Sequence, residues 1–349
     1  MMIRTDRHLI VLSLMGLLGG GCGDDATGFE NDASSLPGDS RVDDATVDGS
    51  LGQDADAGPV EDGPACGNAA AEALPIQIIA PRQTDEGIRS GDPDHAYVEA
   101  VGEPTGRLLL FLPGATASPS DYQDILRHAA ASGDDALGLA YVNDERIFVV
   151  CSRSDRPDCQ ETIRLEILRG EDLSPEVEVD AANSILNRLV MALQHVGWTQ
   201  YLDGEEPRWD RIAVAGHSQG SGHAAMIGRF YSTDRVIVFA GTEPAPWTRQ
   251  PRMTPPERTW AFAHTGDPLF NAFPNSWANL RIPGAPTIID GLAPPFDGAH
   301  QLISEAAANP DDENFHRSPI SDTATPRETS GAPVYGAVWC HLLGHGPVN

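Results

Sequence analysis

The sequence predicts an α/β domain built on a mostly parallel eight-stranded sheet with helices on both faces. Three observations predict it. Eight short apolar runs punctuate residues 66–349. Several are apolar at consecutive positions, as strands buried on both faces must be. After the third run, segments of helical character separate them, which parallel strands need for their crossovers.

The runs, in order, are IQIIA (76–80), HAYVEAV (95–101), RLLLFLP (107–113), LGLAYV (137–142), RIAVAG (211–216), RVIVFAG (235–241), TWAFAH (259–264) and PTIID (286–290). Helices are expected over residues 121–132, 179–196 and 334–343. In the second, Ala182, Ile185, Leu186, Leu189, Val190 and Leu193 share one face and Gly197 stops it. Residues 152–178 read as an irregular insertion. Only residues 242–258, rich in proline, separate RVIVFAG from TWAFAH, too short a stretch for a separate cap domain. PTIID reads as the last strand, and the following APPFDGAHQLISEA as a glycine-containing loop leading into a helix.

Residues 1–21 have a different character. Arg4 and Arg7 precede the apolar stretch LIVLSLMGLL, and Gly19, Gly20 and Gly21 precede Cys22. A basic start, a short apolar core and small residues before a cleavage point describe a secretory signal, too short for a span of about 18 apolar residues. The cysteine after the small residues resembles the lipobox of bacterial lipoproteins. That implies lipid attachment at Cys22 and an exported protein on a membrane facing the periplasm or the cell exterior, with plain secretion as the alternative. Residues 22–65 carry twelve acidic side chains and one arginine, Arg41. So little apolar surface cannot offset the entropy of ordering, and a disordered acidic tether is expected.

The formal net charge is −28, which makes nucleic acid and anionic lipid surfaces poor partners. The chain has no lysine; all 23 Lys-or-Arg positions are arginine. This excludes Schiff-base chemistry and a lysine-bearing phosphate loop. Among the five cysteines, Cys151 and Cys159 bracket a short polar loop and are expected to pair; Cys66 and Cys340 are left for a second bridge. No C-x-x-C or H-E-x-x-H pattern points to a metal.

The stretch AVAGHSQGSGHAAM (213–226) carries the chemistry. A strand runs into Gly-His-Ser-Gln-Gly, and small, helix-compatible residues follow. Gly216 and Gly220 leave room for a strained strand-to-helix turn that presents the Ser218 hydroxyl at a helix N-terminus. A serine hydroxyl needs an adjacent base. His217 and His223 are too local to the turn, and His264 lies within a strand.

With GHSQG after a strand, a Leu-Pro-Gly turn after an earlier one, and the order Ser, Asp, His, the chain resembles the α/β-hydrolase superfamily across residues 76–346. The resemblance implies a Ser218–His300–Asp267 triad. His300 follows the last expected strand, where the superfamily places its base; His316, in ENFHRSP, is the first alternative, then His341 and His345. Asp267, in AHTGDPLF beyond TWAFAH, matches the usual acid, and Glu243 after RVIVFAG is its rival. Asp290 and Asp297 have no positional precedent. The oxyanion would be held by the backbone amides of Gln219 and Ala115, the latter in the turn after RLLLFLP.

The expected activity is a serine hydrolase cleaving carboxylic esters through an acyl-enzyme, with no metal or organic cofactor. Its substrate would be a small-molecule or polymeric ester, and it would meet the membrane only through its lipid anchor. Amidase, peptidase or polyester-degrading activity are alternatives, as is a non-catalytic binding module on the same fold. Trp247, Trp277 and Tyr122 read as pocket lining or as core.

Overall fold

The structure, a computed structural model, describes residues 71–346. The signal-like start, the acidic segment, Cys22 and Cys66 lie outside the described residues. The strands are β1 (Gln77–Ile79), β2 (His95–Val98), β3 (Leu108–Leu112), β4 (Asp135–Gly138), β5 (Leu202–Asp203), β6 (Glu206–Pro207), β7 (Ile212–His217), β8 (Arg235–Phe239), β9 (Thr259–His264), β10 (Thr287–Ile288) and β11 (Gln301–Ser304). The helices are α1 (Pro81–Thr84), α2 (Gln123–Ala131), α3 (Ile147–Cys151), α4 (Cys159–Arg169), α5 (Ile185–His195), α6 (Gln219–Phe230), α7 (Phe273–Asn279) and α8 (Gly336–Leu343).

Nine strands make one sheet in the order β1-β2-β4-β3-β7-β8-β9-β11-β10, and β5 and β6 form a separate small hairpin. Pairing is antiparallel at β1·β2 and β2·β4 and parallel at every other junction. Each of the eight expected runs contributes a strand. The ninth is β11, QLIS, in the stretch expected to become a helix. It lies between β9 and β10 with all four residues buried. Two polar ends around Leu302 and Ile303 disguise a central strand; Gln301 is tolerated there because its amide donates to the carbonyl of Ile282 at 2.8 Å.

Alternation along the strands explains the layers. Leu108, Leu110 and Leu112 of β3 pack with Val214 and Val236 against α4, α5 and α6. Leu109 and Phe111 face the other way, with Ile237 and Phe262, against α2 and α8. The sheet therefore carries one apolar core on each face, as a period-2 strand between two helical layers demands. Helix α5 starts where the Ser184 hydroxyl accepts the Asn187 N–H at 3.1 Å, an N-cap that satisfies one otherwise orphaned donor. The insertion read as irregular contains α4. Its apolar positions Ile163, Ile167 and Leu168 are interrupted by Arg164 and Glu166, which are also buried, so no clean stripe marks the helix in the sequence.

Cys151 and Cys159 form a disulfide across nearly the whole segment from α3 to the start of α4. Cys340 is buried and disulfide-bonded. Trp247 and Trp277 are core residues, whereas Tyr122 is buried with one side open to a cleft.

Candidate active site

Strand β7 ends at His217, and α6 begins at Gln219 with Ser218 between them at φ 52°, ψ −114°. A positive φ on a non-glycine residue costs roughly 1–3 kcal/mol and persists only where its surroundings impose it. Here they do. The Ser218 N–H donates to the Phe239 carbonyl at 2.9 Å. A Cβ on Gly220 would overlap the carbonyl of Leu112, and one on Gly216 would overlap the backbone of Gly220. The flanking glycines are thus a steric requirement of the turn, and the hydroxyl is lifted to the carboxyl end of the parallel strands.

The Ser218 hydroxyl donates to His316 Nε2 at 2.9 Å, and His316 Nδ1 donates to Asp267 Oδ2 at 2.7 Å. Asp267 follows β9, its side chain wholly buried, and its second oxygen accepts the Leu269 N–H at 2.8 Å. With both carboxylate oxygens engaged, Asp267 fixes the tautomer in which Nε2 faces the serine.

His300 does not join this chain. Its Nδ1 donates to the Thr259 carbonyl at 3.0 Å and its ring stacks on Trp260 at 4.6 Å. The reason is β11. His300 stands at the amino end of that strand, whereas side chains that meet above a parallel sheet come from beyond the carboxyl ends of its strands. The loop leaving β11, residues 305–335, carries His316. Reading QLIS as a strand is the signal that would have moved the expected base from His300 to His316.

Glu243 does not join the chain either. It is buried, its carboxylate pairs with the Arg164 guanidinium, and its N–H donates to Ser276 Oγ at 2.6 Å. Burial pushes the Glu243 carboxyl up from its ordinary pKa, and the arginine opposes that rise. His341 and His345 are elsewhere; His345 Nε2 bonds to the buried Asp134 at 2.9 Å. Asp290 accepts from Ser304 Oγ and the Glu305 N–H, and Asp297 is exposed.

His316 is held from behind. Asn314 Oδ1 accepts the His316 N–H at 3.1 Å, and Phe315 stacks on His264 at 4.5 Å over Gly266, where a Cβ would meet the ring. The His316 carbonyl accepts from His217 Nε2 at 3.0 Å. Because a carbonyl can only accept, His217 carries its proton on Nε2, and its Nδ1 accepts the Tyr122 hydroxyl at 2.9 Å. That hydroxyl in turn accepts the Gly114 N–H at 3.3 Å. Burial lowers the His217 pKa to about 3, so it stays neutral while it links His316 to the loop after β3.

That loop holds the expected oxyanion donor. Gly114 N–H is taken by Tyr122, Thr116 N–H donates to Asn143 at 3.0 Å, and Ala117 N–H returns to Gly114 at 3.1 Å. Among the described residues, the N–H groups of Ala115 and Gln219 donate to no protein acceptor. Gln219 is wired in place: its side-chain oxygen accepts the Ile147 N–H at 3.0 Å and its carbonyl accepts Arg164 Nη1 at 2.9 Å. A Cβ on the next-but-two residue, Gly222, would strike the Arg164 guanidinium. The first turn of α6 has no acidic residue, so nothing offsets the positive end of its dipole. Ser218, His316, Gln219 and Ala115 line one cleft of about 810 Å³, within the range that binds small molecules.

In comparisons with known protein families and with characterised proteins, the sequence matches none of them.

Proposed function

We propose that the protein is an α/β-hydrolase-type serine hydrolase that cleaves carboxylic esters through an acyl-enzyme. The observation that carries this reading is the unbroken hydrogen-bond chain from Ser218 through His316 to Asp267, set on a strained turn beside two unengaged amides. Ser218 Oγ attacks the ester carbonyl carbon while its proton passes to His316 Nε2. Asp267 holds the opposite N–H and stabilises the imidazolium. The carbonyl oxygen, now anionic, is held by the N–H groups of Gln219 and Ala115 at the positive end of α6. Collapse expels the alkoxide, which takes the proton from His316. Water then repeats the sequence on the acyl-enzyme and frees Ser218. The basic and apolar start ending in Cys22 supports export and a lipid anchor at that cysteine.

The test is reaction of the full chain with a fluorophosphonate, followed by mass spectrometry, with Ser218→Ala alongside. An adduct on Ser218 that the variant lacks supports the reading. An unmodified Ser218 in folded protein refutes it.

A further inference from the structure

We infer that the cleft selects esters with a bulky apolar acyl or alcohol arm, gripped between Phe148 and Val149 on one lip and Leu269 on the other. The inference rests on the ester-hydrolase reading and adds the class of substrate.

Two sets of observations carry it. The lips are apolar and exposed: Phe148 is 63%, Val149 40% and Leu269 42% accessible. All three line the cleft that contains Ser218, with Ala115, Ala240 and Pro244 as further lining. Large apolar groups left open to water around a concave site mark where an apolar ligand is bound.

The second set concerns the polar lining, most of whose buried groups are already committed to the protein, Gln219 Nε2 and Arg164 Nε excepted. Arg164 is spent on Gln219 and Glu243, and Ser276 Oγ accepts the Glu243 N–H. The Gln219 side-chain oxygen accepts Ile147 N–H, and Asn314 Oδ1 accepts the N–H groups of His316 and Arg317. Arg317 itself reaches Asp312, Ser321 and Thr323. A site built for a sugar or a peptide would aim such groups at the ligand, because discrimination between polar substrates comes from hydrogen bonds left unmade by the wrong one. Here, apart from Gln219 Nε2 and Arg164 Nε, the lining residues with uncommitted polar side chains are Thr116, Arg146 and Asn275, which are exposed, and Gln160 and Thr242, which are half-buried.

The Phe148 lip is also preformed. Helix α3 is tied at its C-terminal end by the Cys151–Cys159 disulfide and at its first residue by the Ile147 N–H bond to Gln219. The apolar grip therefore stands at a fixed place relative to the oxyanion donor.

The experiment measures kcat/KM for p-nitrophenyl acetate, butyrate and octanoate, each below its solubility limit. The enzymes are the full chain, Phe148→Ser, Val149→Ser, Leu269→Ser and, as a control on an apolar residue exposed elsewhere, Met253→Ser. Each buried methylene is worth about fourfold, so burying only two of the six added in octanoate raises kcat/KM over acetate about fifteenfold. The octanoate-to-acetate ratio is expected to exceed ten in the parent and to fall at least fivefold in the Phe148 or Leu269 variants, with Met253→Ser keeping the parent's ratio. A flat series in protein whose Ser218 still takes the fluorophosphonate overturns the inference and leaves the hydrolase reading standing. Equal ratios in the parent and the lip variants also overturn it. Absence of both turnover and adduct removes the hydrolase reading, and the inference with it.

Discussion

Lowering the pH should unfold this protein early, because three histidines are buried in neutral form. His95 and His217 are pushed down to about 3, and His223 well below its ordinary value, in each case mainly by burial. The contacts show why none can accept a proton. His95 Nδ1 already accepts the Ala140 N–H, and Arg188 stands near it. His217 is enclosed by Tyr122 and His316. His223 packs edge-on against Tyr141 with Arg164 nearby, and neither ring nitrogen has a hydrogen-bond partner. In the unfolded chain each protonates near pH 6.5, so below that value the unfolded state binds more protons and stability falls with pH. Each group then costs about 1.4 kcal/mol per pH unit, or about 2 kcal/mol at pH 5 and about 6 kcal/mol for the three. Asp322 works the other way. Its carboxyl is raised to about 6 by burial and the neighbouring Asp124, which returns about 1 kcal/mol over the same interval; Glu243, also raised, acts in the same direction. A net loss of about 5 kcal/mol between pH 7 and pH 5, before what Glu243 returns, is a large fraction of a typical 5–15 kcal/mol total. Urea unfolding followed by circular dichroism at pH 8, 7, 6 and 5 measures it. His223→Gln, which cannot take a proton, should flatten the slope by one proton. A midpoint that does not move between pH 7 and pH 5 refutes the reasoning.

Other perturbations test the site piece by piece. His217→Asn removes the bond to the His316 carbonyl and the link to Tyr122; kcat should fall roughly 10- to 100-fold, the scale of a small misplacement, with KM little changed. The apparent pKa of the acid limb of its pH–rate profile should move as well, which a merely structural role for His217 would not produce. Glu243→Ala leaves the Arg164 charge buried and unpaired, which costs about 3–5 kcal/mol, read as a lower midpoint in urea. The double variant Arg164→Met/Glu243→Leu should recover most of that loss. Gly220→Ala drives a methyl into the Leu112 carbonyl and should abolish fluorophosphonate labelling through distortion of the turn; labelling at the parental rate would contradict the steric account.

What could be read in the sequence was whatever lies close together in the chain. The turn around Ser218 is legible because its steric demands fall on neighbours: Gly216 and Gly220 have no room for a Cβ, so the pentapeptide carries its own explanation. Asp267 is legible because it lies just past β9, an apolar run that announces itself. His316 is a different case. It belongs to a 31-residue loop without helix or strand, residues 305–335, and it reaches Ser218 only because that loop leaves the carboxyl end of β11. Misreading QLIS displaced the end of the sheet by one strand and shifted the expected base to His300. Arg164, Glu243 and the His217–Tyr122 pair were illegible as partners. Their contacts join residues 79 and 95 positions apart, and no local pattern encodes such a meeting.

The central claim is that His316, and not His300, activates Ser218, and one comparison tests it most directly: the fluorophosphonate labelling rate of the full chain with His316→Asn against His300→Asn. Each substitution removes one imidazole and keeps a polar side chain. The account predicts that His316→Asn slows labelling of Ser218 by at least 10²-fold, in line with what a general base contributes, and that His300→Asn labels at close to the parental rate. Rapid labelling of the His316 variant together with slow labelling of the His300 variant would contradict it.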